Sequence, residues 1–124
     1  MTNEEMNELD KWLAENVMGW KLSIDQIWNE ISHFWTNEMC WTRKPELIRV
    51  ADWQPTRNIT QAFEVVEMFR SEGWSCELYL AFMGVTDAIF RWIDGPIPLK
   101  KAKIKAKTPA LAICLAAKKA WEAK

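Results

Sequence analysis

Aromatic planes interleaved with guanidinium groups are the most chemically suggestive pattern in this chain. Between positions 35 and 57 the sequence intersperses Trp35, Trp41 and Trp53 with Arg43, Arg49 and Arg57. An indole face stacks a nucleobase, and an arginine fork holds a phosphate through paired hydrogen bonds. The pattern points to a small nucleotide-type ligand, with Trp41 and Trp53 stacking and Arg43 and Arg57 on phosphate. A blander reading stands beside it: a tryptophan-rich core flap with solvated arginines. A second constellation lies nearer the C-terminus. Lys101, Lys103, Lys105 and Lys107 alternate with Ala102, Ile104 and Ala106. A period of two puts every lysine on one face of a strand. Lys101 and Lys103 join the candidate phosphate ligands. The competing role is a charged edge strand that resists aggregation.

Other reactive combinations are missing. His33 is the sole histidine, and the nearest soft ligand, Cys40, is not at a recognised metal spacing. Cys40, Cys76 and Cys114 are odd in number and include no C-x-x-C pair, so they read as packing residues. There is no glycine-rich phosphate loop and no nucleophile elbow. Glu64 and Glu67 share a polar helix face, where solvation accounts for them. These features predict a binding protein rather than an enzyme, with no cofactor and no metal.

The elements that must position these groups follow from periodicity. Met6, Leu9, Leu13 and Val17 predict a helix from Asn3 to Val17, capped by Thr2 or Asn3 and ended by Gly19. Ser23 with Gln26 fits a capping box, and Ile24, Ile27, Trp28, Ile31 and Trp35 follow at helical intervals. A short second helix is expected from Ser23 to Phe34, then a short strand from Leu47 to Ala51. Asn58 opens a strong helix with an apolar stripe of Ile59, Ala62, Phe63, Val66 and Phe69, stopped by Gly73. Gln61 is placed to return the cap. Alternation then predicts strands at 74–82, 88–93 and 101–107. Thr108-Pro109 starts a last helix. Helices followed by a three-stranded meander and a helix argue an α+β fold, an antiparallel sheet of three to four strands packed between helices.

The 124 residues suit one domain, and 49% apolar with 27% charged residues is a globular balance. No apolar run approaches the roughly 20 residues that span a bilayer. The acidic start, Met1 to Glu5, is unlike a secretory signal, so a cytoplasmic protein with no membrane partner is expected. The net charge of −1 is unevenly placed. Gly95 to Lys124 holds eight lysines against one acid, net +7, and Met1 to Asp94 holds eight basic residues against sixteen acids, net −8. Such asymmetry suits an anion-binding face or a self-complementary homo-oligomer. An acidic protein without a reading motif argues against duplex DNA. Nine tryptophans are a surplus, and about two thirds of them are expected in the core.

Several segments carry a family likeness. Val17-Met18-Gly19-Trp20 closes the first helix, Trp53-Gln54-Pro55-Thr56 precedes Ala62-Phe63-Glu64-Val65-Val66-Glu67, and Thr108 to Ala117 opens the last helix. Together they resemble the phage ABA-sandwich domain family, small proteins of phages and prophages of Gram-positive bacteria. The resemblance implies one such domain over residues 1–124, with a sheet between helical layers. It carries no established reaction and no catalytic residues. The tryptophan-rich segment at about 21–54 departs from the family pattern and reads as variable. With the phage likeness, the aromatic–arginine segment points to a counter-defence protein. Such a protein would sequester a small nucleotide-type immune signal in the host bacterial cytoplasm. The alternative is an inhibitor or adaptor that binds a host protein, with the tryptophans as interface anchors.

Overall fold

In a computed structural model, all residues are described except 32, 43–46, 81–83, 93–100 and 124; at 25–29, 34–37 and 47 the backbone alone is described. The fold is α+β, and the described residues form three helices and two antiparallel three-stranded sheets in a sandwich-like arrangement.

Helix α1 (Asn3–Trp12) begins at a capping box. Thr2 accepts from the Glu5 amide and Glu5 accepts from the Thr2 amide, each at 3.1 Å. Those bonds to Thr2 hold the Glu5 carboxyl below its ordinary range. The expected last turn of this helix, Leu13–Val17, is wound as a π-helix, and the Met18 amide reaches back to the Leu13 carbonyl at 2.9 Å. Leu13, Ala14 and Val17 of this wide turn are buried. Gly19 follows in the left-handed region (φ 69°), which glycine enters without a Cβ clash.

The next region corrects the sequence reading. Instead of a helix over Ser23–Phe34, strands β1 (Lys21–Asn29) and β2 (Phe34–Thr42) form a long antiparallel hairpin. Lys21 pairs with Thr42 at the base and Asn29 with Phe34 at the tip. The residues read as helical are isoleucines and tryptophans, which favour a pleated surface at least as much as a helix. Ser23 lies within β1, and its hydroxyl lies 3.3 Å from that of Thr42 across the ladder. The expected strand at Leu47–Ala51 is shorter, β3 (Leu47–Arg49), and runs into a 3₁₀ turn at Val50–Asp52. Sheet order is β1-β2-β3.

Helix α2 (Ile59–Ser71) is capped by Asn58, which accepts from the Gln61 amide at 3.1 Å. Its buried face is Ala62, Val65, Val66 and Phe69; Ile59 and Phe63, expected in that stripe, are exposed. Gly73 (φ 98°) turns the chain into a meander of β4 (Trp74–Leu80), β5 (Thr86–Trp92) and β6 (Lys101–Ala106), ordered β4-β5-β6. Helix α3 (Pro109–Glu122) starts as expected, with the Thr108 hydroxyl accepting from the Leu111 amide and proline at the first turn. Its buried surface is mostly alanine: Ala110, Ala112, Ala116, Ala117 and Ala120 beside Ile113 and Cys114. Small side chains let α3 lie close over β5 and β6, with α2 beside it over β4. The π-turn touches α2 and α3. Trp41 of β2 and Trp53 enter the same core. Phe69 joins the layers, with its ring centroid 5.8 Å from Trp74, 4.9 Å from Phe90 and 6.3 Å from Trp121. All seven tryptophans with described side chains are in this core or packed against it. The blander reading of most tryptophans therefore holds.

Candidate ligand cleft between the first helix and the hairpin base

A buried carboxylate organises the region where α1 meets the base of the hairpin. Asp10 projects from α1 and is 3% exposed. Its Oδ1 accepts from the Thr56 amide at 2.9 Å and its Oδ2 from the Thr56 hydroxyl at 3.1 Å. The Asp10 carbonyl accepts from the Trp53 indole N–H at 3.0 Å. Burial raises the Asp10 pKa; the two Thr56 hydrogen bonds and the nearby Arg57 charge pull it down, and burial wins. Gln61 extends the brace: its Oε1 accepts from the Gln54 amide at 2.6 Å and its Nε2 donates to the Asp52 carbonyl at 2.7 Å. Gln61 thus tethers the preceding loop rather than returning the helix cap. Arg57 Nη2 donates to the Asn3 carbonyl at 3.1 Å and to Asn7 Oδ1 at 3.0 Å. The Trp53-Gln54-Pro55-Thr56 segment is therefore stapled to α1 on one side and α2 on the other.

Beside this brace opens a cleft of about 600 Å³, within the range of small-molecule sites. Helix α1 contributes Asn7, Asp10 and Lys11, and β2 contributes Glu38, Met39 and Trp41. Val50, Ala51, Trp53, Gln54 and Arg57 complete it. Lys11 and Arg57 are its cations and Asp10 and Glu38 its carboxylates. Trp41 is fully buried, and its indole N–H has no hydrogen-bond partner. A buried donor left unpaired costs about 1–3 kcal/mol.

Of the sequence-predicted ligands, Trp41, Trp53 and Arg57 come together here. The two indoles form the floor, at 0% and 2% exposure; neither offers an open face like a surface stacking plate, and the Trp53 N–H is already engaged by Asp10. Trp20 packs edge-on against Trp53 with centroids 4.6 Å apart. Arg43 lies outside the described residues. Arg49 is half-buried at the end of β3. Lys101 and Lys103 are exposed on β6, and neither lines the cleft. With Lys105 they mark an edge strand of the β4–β6 sheet, whose Lys103 carbonyl accepts from Lys119 Nζ at 3.5 Å. Sequence reasoning missed Lys11, Asn7, Gln54 and Glu38. Lys11 and Asn7 belong to α1, more than forty positions before Trp53 and Gln54, and no local pattern joins them.

Two other clefts suit an anion less well. One of about 790 Å³, between α1 and α3, is lined by Glu4, Glu5, Glu8 and Glu15. One of about 520 Å³, at the start of α3, is largely apolar, with Met1, Met6, Ile59, Pro109 and Leu111. The Cys76 and Cys114 thiols are poor nucleophiles. Burial and the charge of Glu77 push Cys76 up to about 11, and burial raises Cys114 well above the ordinary thiol range. Among the described residues no group of three or more His, Cys, Asp or Glu side chains is placed to hold a metal ion.

The family model described as the phage ABA sandwich domain matches residues 11–118. The chain belongs to that family. No curated protein and no solved structure is significantly similar to it. The phage ABA sandwich segments that carry the likeness have structural work in this fold. Trp53 to Thr56 form the Asp10 brace, Ala62 to Val66 bury the face of α2, and Thr108 to Ala117 cap and bury α3. No helix among the described residues is long and apolar enough to cross a membrane.

Proposed function

We propose that this phage protein is a counter-defence binding protein that sequesters a small nucleotide-type host immune signal in the cleft between α1 and the hairpin base, within the host cytoplasm. The observation that carries this reading is the convergence of Lys11, Arg57, Trp41 and Trp53 on one cleft of ligand size. The cations suit phosphate. The Asn7 and Gln54 amides and the Glu38 carboxylate suit the mixed donors and acceptors of a base edge. Met39 and Val50 supply apolar surface. Sequestration requires tight binding and no chemistry, so the protein acts as a binder and not as an enzyme. Nanomolar affinity is about 12 kcal/mol. Two charge-assisted bonds at about 1.5–3 kcal/mol each supply part of it, and burial of the base must supply the rest.

The test is to purify the protein from cells with an active nucleotide-signalling defence, denature it, and identify the released small molecules by mass spectrometry. An intact nucleotide at about one per cleft is the expected result. An empty protein and an unchanged signal in those cells would remove this reading. A second reading, inhibition of a host protein, is favoured by the apolar residues Leu22, Ile24 and Met39 exposed on the hairpin. A stable host protein complex without a small molecule would support it instead.

A further inference from the structure

The outer edge of the hairpin is built unlike the other sheet's lysine edge. Strand β1 is the terminal strand of its sheet and runs for nine residues, Lys21–Asn29. Edge strands are ordinarily blunted by proline, by lysine or by being short. Strand β6 has Lys101, Lys103 and Lys105. Strand β1 has no proline and, beyond Lys21 at its start, no lysine. It also presents apolar surface. Ile24 is 69% exposed and Leu22 41%, and the register sets Ile24 opposite Met39, itself 45% exposed. Directly opposed residues of an antiparallel pair share a face, so these three side chains form one apolar patch next to the open edge.

We propose that β1 pairs with β1 of a second copy of this chain, antiparallel and about a two-fold axis at Ser23, to make a continuous six-stranded sheet. The charge and apolar pattern selects this register. An axis at Ser23 sets Lys21 opposite Asp25 of the second copy, twice over, and Leu22 opposite Ile24, also twice. An axis at Asp25 would bring two like charges side by side, and an axis at Ile24 would set Lys21 against Ile27. Opposite charges facing each other across strands stabilise a pair, and like charges oppose it. A two-fold contact of this kind is self-complementary and closes at two chains, so it makes a dimer and not a fibre.

Sedimentation equilibrium of the full chain tests this, with Lys21→Glu, Asp25→Lys and the combined variant alongside. The expected mass of the wild type is twice the 14.6 kDa chain. Each single reversal places two like-charge pairs in the interface and raises the dissociation constant by roughly tenfold or more. The combined variant restores opposite charges and recovers the dimer. Ser23→Cys in a Cys40→Ala background, which removes the native thiol opposite position 23 in the β1–β2 ladder, sets two thiols on the axis. Opposed Cα atoms there are about 4.5–5.5 Å apart, within disulfide reach, so mild oxidation yields a covalent dimer on a non-reducing gel. A wild type that is monomeric throughout, or a dimer indifferent to both single reversals, overturns the proposal. So does a combined variant that stays monomeric while circular dichroism shows all variants folded.

Discussion

The two sheets of this molecule are stabilised in different ways. The β4–β6 sheet is covered on one face by α2 and α3, and its centre is closed: Ala88, Phe90 and Ala102 are buried, with Phe69 and Trp74 against them. Among the described side chains, the β1–β3 sheet is anchored at its base, through Trp41, Ile48 and the Asp10 brace. Farther out, Ile24 and the turn residue Ile31 are exposed to solvent. The first region is a packed scaffold, and the second exposes Leu22, Ile24 and Ile31. Loops and edges that carry recognition are commonly held out from such a scaffold.

Substitutions should separate the two regions by the size of their effect. Phe69→Ala removes the ring joining α2, β5 and α3, and a loss of about 3–5 kcal/mol in urea unfolding is expected. A loss under about 1 kcal/mol would mean that the scaffold is not the stability core. Asp10→Ala comes next. It strands the Thr56 amide and hydroxyl in a dry site, and about 3 kcal/mol is expected. Asp10→Asn keeps an acceptor for the amide and a partner for the hydroxyl, and should cost under about 1 kcal/mol.

The Asp10 pair of variants also carries a pH signature. Because burial raises the folded pKa above the ordinary 3.8, the folded state holds its proton longer than the unfolded chain. The Asp10 contribution is therefore greatest below pH 3.8, declines as pH rises through the raised folded value, and is flat above it. Urea melts of wild type and Asp10→Asn across acid to neutral pH should show their difference shifting against the wild type as pH rises. A pH-independent difference would contradict the burial argument. The smallest effect is expected at the hairpin tip, where Ile31→Ser should change chain stability by no more than about 0.5 kcal/mol. A larger loss would show that the tip is packed.

The scaffold was legible because its signals are local. The Thr2, Asn58 and Thr108 caps, Gly73, and the alternation through β4, β5 and β6 each lie within a few residues of what they specify. The hairpin was misread because Ile24, Ile27, Trp28 and Ile31 satisfy a helical spacing, while their choice of strand is made by pairing with Phe34–Thr42. The cleft was half legible. Composition singled out Trp41, Trp53 and Arg57, but Asp10 meets Trp53 and Thr56 across 43 and 46 positions, and Lys11 arrives with it. Lys101 and Lys103 were grouped with the arginines by charge type, a criterion blind to which sheet a strand joins.

In the proposed function the cleft, and not the lysine edge, holds a nucleotide-type signal. The direct measurement is the amount of nucleotide that co-purifies with wild type, with Lys11→Ala/Arg57→Ala and with Lys101→Ala/Lys103→Ala, all from cells producing the signal. The account predicts wild-type loading for the β6 pair and loss of at least tenfold for the cleft pair. Full loading of the cleft pair, or loss confined to the β6 pair, would contradict it.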